Sequence, residues 1–141
     1  MATIKSFEEL KVWKDSRKIV TDIYHAVDYF PKTESYGLTS QITRASVSIM
    51  SNIAEGFARD SNKEFIRFLI ISRGSIAEVQ SDLFVALDLD FITKDKFTKI
   101  YEQLNNLGKQ INGLIKYLRL HYNIKSSNQS ICEALESYEA N

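Results

Sequence analysis

The chain has 141 residues, 44% hydrophobic and 26% charged, with a formal net charge of zero. That length fits one domain with its own core, and the neutral balance argues against a strongly cationic polyanion binder. A single proline (Pro31), five glycines and a single cysteine (Cys132) favour long helices over many short strands and exclude an intrachain disulfide. No apolar run is long enough for a membrane span, and the N-terminus MATIKSFEELKVWKD has no apolar signal core. A cytoplasmic protein with no membrane partner is expected.

The elements follow in chain order. Ser6-Phe7-Glu8-Glu9 has the form of a capping box, which predicts a first helix from about Phe7. Trp13, Ser16, Ile19, Val20, Ile23, Tyr24 and Val27 then recur at helical spacing, and the helix must end before Pro31. A second helix is predicted over about Tyr36 to Glu55, with Leu38, Ile42, Ala45, Ile49 and Ile53 as its stripe. Serines and threonines fill its other faces, so it reads as the most buried helix, with Gly56 as the left-handed residue just past its end. Ser61-Asn62-Lys63-Glu64 is a second capping box and opens a third helix reaching about Leu89. Gly74 in its middle would let another backbone come close. Thr93 is the expected N-cap of a fourth helix reaching about Tyr122. Short links predict an all-α, antiparallel up-down-up-down four-helix bundle over residues 1–125. Residues 126–141 read as a polar linker and a short C-terminal helix, carrying Ile131, Leu135 and Tyr138 at helical spacing.

Charge is unevenly distributed. Residues 126–141 carry Glu133, Glu136 and Glu139 and no Lys or Arg; without them 18 basic and 15 acidic residues remain, or +3. Residues 96–125 have Lys96, Lys99, Lys109, Lys116, Arg119 and Lys125 against Glu102, while residues 75–95 carry five acids against Lys94. Segments of opposite sign would neutralise one another if packed antiparallel.

The sequence shows no recognisable catalytic chemistry. A di-iron bundle needs Glu-x-x-His on two helices, and none occurs. Nucleophile elbows, phosphate-binding loops and dinucleotide fingerprints are also missing. No enzyme activity, metal or cofactor is therefore expected. The candidate phosphate contacts are Lys11, Lys14, Arg17 and Lys18 on the first helix, and Arg59, Lys63, Arg67 and Arg73 around the third. Lys109 and Lys116 of the fourth helix join them. Asp15, Asp22, Asp60 and Glu64 are interleaved, so pairing on a solvated surface is the competing reading. Arg44 and Glu55 are charges on the least polar helix, and structural pairing with other helices or across a subunit boundary is expected for both. Trp13, Gly56 and Gly74 complete the candidate structural or interface set.

Several runs carry a family resemblance: Phe7-Glu8-Glu9-Leu10 with Val12-Trp13, Glu34-Ser35-Tyr36-Gly37-Leu38, Gln41-Ile42-Thr43-Arg44-Ala45, and Asn52-Ile53-Ala54-Glu55-Gly56. Phe65, Phe68-Leu69, Gly74-Ser75 and Glu78 extend it. In these residues the chain resembles the four-helix-bundle proteins encoded within intervening sequences of bacterial 23S ribosomal RNA genes, and the related accessory proteins of diversity-generating retroelements. The resemblance implies a ring-like homopentamer that binds RNA or DNA, or a nucleic-acid enzyme such as a reverse transcriptase. Thr43-Arg44 stands where it implies two consecutive basic residues. A protein–protein adaptor or scaffold that binds no nucleic acid is the alternative.

Overall fold

A computed structural model describes residues 4–123. They form four helices: α1 (Lys11–Val27), α2 (Leu38–Ala58), α3 (Asn62–Asp88) and α4 (Lys94–Asn123). Single 3-10 turns at Phe7–Glu9 and Lys32–Glu34 precede α1 and α2. Each helix packs against its neighbours in chain order and α4 closes back on α1, with α2 on α3 the most extensive contact. This is the expected all-α up-down-up-down bundle. The expected short C-terminal helix lies outside the described residues.

The apolar stripes become one core. Ile19 and Ile23 of α1, Ile42, Ile49 and Ile53 of α2, Phe65, Leu69, Val79 and Leu83 of α3, and Leu104, Leu107, Ile111 and Leu118 of α4 are all almost fully buried. Each full burial of such a side chain contributes roughly 1.5–3 kcal/mol, offsetting the conformational entropy of ordering the helices. Ser72 lies within this core and donates its hydroxyl to the Ile49 carbonyl at 2.8 Å, tying α3 to α2.

Two helix starts form as the sequence predicts. Ser61 caps α3, its Oγ accepting from the Glu64 amide at 3.4 Å, and Thr93 Oγ1 accepts from the Lys96 amide at 3.3 Å at the head of α4. The first start differs. Ser6 makes no side-chain cap, and α1 begins at Lys11 behind an extended Leu10. Burial of Leu10 and Ile4 governs the entry of the chain, and Glu9 instead accepts from the Lys5 amide at 3.0 Å. The start of α2 is held by Glu34, whose Oε2 accepts from the Leu38 amide at 3.2 Å.

The reading of Gly56 is also corrected. α2 continues through it to Ala58, and the left-handed residue of the α2–α3 turn is Asp60, at φ 52°. Gly56 is buried against α3, where an added Cβ would fall 2.6 Å from Phe68 Cβ and 3.0 Å from Phe65 Cδ2. The missing side chain serves close helix packing. Gly74 is the reverse case, with nothing within 4 Å of where its Cβ would be. The close approach lies one residue on, where Ser75 Oγ is 2.9 Å from Ser48 Oγ.

Nor is α2 surrounded by neighbours. Gln41, Arg44, Val47, Ser51 and Glu55 are exposed along its outer side. The small polar residues that suggested packing on all sides are in part simply solvated. Arg44 is not a buried charge, and Glu55 pairs within the end of its own helix, 3.0 Å from Arg59.

Candidate nucleic-acid interface

The candidate cations fall into three groups with different surroundings. On α1, Lys14, Arg17 and Lys18 are exposed on one face. Lys11 is engaged: its Nζ lies 2.6 Å from Asp15 Oδ2 and 3.2 Å from Gln110 Oε1 of α4. Burial raises the pKa of Asp15, but hydrogen bonds from Lys11 and Gln110 and the charges of Lys11 and Lys18 outweigh it, leaving the carboxyl below its usual range. Arg17 lies over the ring of Trp13, 5.8 Å from its centroid, and Trp13 meets Phe7 edge-on at 5.0 Å. Trp13 thus anchors the N-terminal turn to α1.

The second group sits at the α2–α3 corner. Arg59 and Arg67 approach the Phe68 ring, at 5.2 and 4.6 Å from its centroid. Each is answered by a carboxylate, Arg59 by Glu55 and Arg67 by Glu64, both at 3.0 Å. The hydrogen bond from Arg67 holds Glu64 below the ordinary carboxylate range, and the reciprocal bond raises Arg67. Lys63 is exposed beside them. This corner is internally neutralised.

Arg73 does not belong to that corner. Its Nη1 donates to Asn112 Oδ1 at 3.0 Å, and one turn further Gln80 donates to Asn105 Oδ1 at 2.8 Å. These bonds fix the antiparallel register of α3 on α4. Arg73 therefore lies beside Lys109 and Lys116, and Arg119 falls across from Ile66; all four cations are exposed. Residues 65–77 of α3 and 103–123 of α4 contain no Asp or Glu. The expected neutralisation of α4 by acids of α3 does not occur here. Glu78, Asp82 and Asp88 lie nearer the α3–α4 turn, out of phase with Lys109 and Lys116, and no ion pair joins α3 to α4 among the described residues. Arg119 is not among the phosphate contacts expected from the sequence, although its place three residues beyond Lys116 signals it.

Asp82 is shifted the opposite way from Asp15 and Glu64. Burial first, and the Glu78 charge second, raise its pKa, and its Oδ2 is buried without a hydrogen-bond partner. An acid raised in the folded state is folded more easily when neutral, so its ionisation costs stability as pH rises above the unfolded value. Asp82→Ala is expected to raise the melting temperature near pH 7, with a smaller gain near pH ~3, where Asp82 is already protonated. Thermal unfolding at both values reads it; an equal gain at both would remove the charge as the cause.

No group of three or more His, Cys, Asp or Glu among the described residues is placed to hold a metal, and no described helix is long and apolar enough to cross a membrane. The sequence profile of the 23S rRNA-intervening sequence protein family matches residues 8–113. The chain belongs to that family. Among solved structures it is similar to a protein of unknown function from the S23 ribosomal protein family of Bacteroides thetaiotaomicron. The likeness has a TM-score of 0.69 at 23% identity, covering 74% of this chain and 98% of that one, and it supports the shared fold. No curated protein matches. The family region covers α1–α3 and α4 as far as Gly113, so Lys109 lies inside it while Lys116 and Arg119 lie just beyond.

Proposed function

We propose that this 23S rRNA-intervening sequence protein is a non-enzymatic, cytoplasmic, self-assembling helical module that holds RNA or DNA phosphates along the α3–α4 strip. The observation that carries the nucleic-acid reading is the strip of Arg73, Lys109, Lys116 and Arg119 on helix segments without a carboxylate. A solvated face normally interleaves its charges, as the α1 and α2–α3 groups do. Four like charges with no carboxylate partner among the described residues cost repulsion that a polyanion would relieve. Full-length protein should bind structured RNA with an affinity that falls steeply with salt, at a log–log slope of about −3 to −4 for four phosphate contacts. Fluorescence anisotropy across a salt series measures this, and absence of binding at low salt would refute the reading.

Self-assembly is supported by the outward stripe of α3. Ile70, Gly74, Ala77, Ser81 and Val85 follow one another at helical spacing, all exposed and none charged, with Ile71 and Phe84 exposed beside them. Glu78 is exposed between this stripe and Ile71, and the apolar exposure around it is more than a solvated helix face usually carries. A second copy is the proposed cover, and a ring of five is what the family resemblance implies. Ile71→Glu is expected to shift the mass measured by light scattering towards the monomer with the helical circular dichroism unchanged. A wild-type monomer at micromolar concentration would sink this part. The same exposed stripe favours the second reading, a protein–protein adaptor, which failure of RNA binding together with intact assembly would support.

A further inference from the structure

The outward stripe of α3 has a counterpart at the same height on α2. Gln41, Arg44, Val47, Ser51 and Glu55 are exposed along the outer side of α2. Ser48 Oγ lies 2.9 Å from Ser75 Oγ, and Ser72 donates to the Ile49 carbonyl at 2.8 Å. These two bonds fix which residues of the antiparallel pair are level. Counting from them at about 1.5 Å per residue, Arg44 is level with Glu78 and Glu55 with Arg67, each within about one residue. We propose that the α3 stripe of one copy packs on the outer side of α2 of the next copy, with Glu78 paired to Arg44 of that copy.

The contact rests on the self-assembly reading for its occupant and names the surface that receives the stripe. Charge supports it first. Arg44 and Glu78 are both exposed, and neither makes an ion pair among the described residues. Copies related by rotation about an axis along the bundle stand at one height, so residues level within a chain are level between chains. Glu78 then meets Arg44, and Arg67 meets Glu55. Arg67 already holds Glu64 and Glu55 already holds Arg59, so the second meeting joins two pairs into a row of four alternating charges. Glu78 follows Ser75 by three residues and Arg44 precedes Ser48 by four. Both therefore lie on the side of their helix that borders the α2–α3 groove, and they approach without crossing the apolar seam. Space is the second support. Gly74 stands in the middle of the stripe with nothing within 4 Å of where its Cβ would be, and Val47, 37% exposed, is at its level on α2. Direction is the third. α2 and α3 are neighbouring corners of the bundle, so their outer faces point about a right angle apart. A contact from α3 of one copy to α2 of the next turns the same way at every step and closes into a small ring.

Charge reversal in the full chain, read by light scattering over a concentration series, tests the contact. Arg44→Glu sets two acids against each other, and Glu78→Arg two bases. Each is expected to raise the concentration at which the assembly forms about 100-fold, with the helical circular dichroism unchanged. Arg44→Glu/Glu78→Arg should assemble as wild type does. Mixing the two single variants should also recover the high mass, because every contact between unlike chains then has one acid and one base. That recovery separates a pair between copies from a pair within one chain, which mixing cannot repair. No recovery on mixing would overturn the proposal, and recovery confined to the double variant would place the pair within the chain. Unchanged mass in both single variants would overturn it as well. Self-assembly itself would still stand in that case if Ile71→Glu releases monomers, and the stripe would have another cover. A wild-type monomer at micromolar concentration removes the self-assembly reading and this contact together.

Discussion

Gly56→Ala should lower the stability of the bundle by about 2 kcal/mol, although alanine is the better helix former. A methyl group there would stand 2.6 Å from Phe68 Cβ and 3.0 Å from the Phe65 ring. The first of these atoms is fixed to the α3 backbone and cannot swing away. Phe65 is fully buried, and Phe57 packs against its ring edge-on at 6.0 Å, so the second has little room either. The helices must then separate along their most extensive contact. Gly108→Ala is the internal comparison. No atom lies within 4 Å of the Cβ position there, so the helix-propensity gain of about 0.5–1 kcal/mol should appear undiminished. Urea unfolding of the two variants should move the midpoints in opposite directions. A stabilised Gly56→Ala would mean that α2 and α3 are not held this closely in solution.

The same glycine shows what the sequence discloses and what it withholds. The helical stripes are legible because burial imposes the period directly, and the Ser61 and Thr93 caps because a cap is a local bond between near neighbours. Gly56 looked like a helix terminator by the same local logic. The helix passes through it because Phe57 finds a buried partner in Phe65, and Asp60 takes the left-handed position instead. Ser6 makes no cap although the pattern is present: Leu10 is extended and buried there, and α1 begins only after it. In the candidate interface the charges themselves were legible and their neutralisation was not. Whether Lys109 meets an acid depends on the offset between α3 and α4. The contacts of Arg73 with Asn112 and Gln80 with Asn105 set that offset, and neither pair is marked in the sequence. The exposure of Arg44 and the pairing of Glu55 with Arg59 are not legible in the sequence, because small polar residues suit a crowded face and a wet one equally.

Removing the strip should have the largest effect on binding. Arg73→Gln/Lys109→Gln/Lys116→Gln/Arg119→Gln is expected to weaken RNA binding about 100-fold at low salt and to flatten the salt dependence by about 3 on the log–log scale. The fold should tolerate the change. All four side chains are exposed, and among the described residues the hydrogen bond lost is the surface contact of Arg73 with Asn112. Such changes at the surface stay within roughly 0.5 kcal/mol each. Because the substitutions also make the whole chain more negative, the decisive comparison has the same net charge. Lys5→Gln/Lys14→Gln/Lys18→Gln/Lys32→Gln removes four exposed cations from the N-terminal segment, α1 and the turn before α2. If phosphates are held on α3–α4, that variant should lose affinity only several-fold and keep most of the salt slope. Equal losses in both would reduce the strip to a contribution to net charge. A larger loss in the second would move the interface to the α1 face, where Lys14 and Lys18 lie beside the Lys11–Asp15 pair.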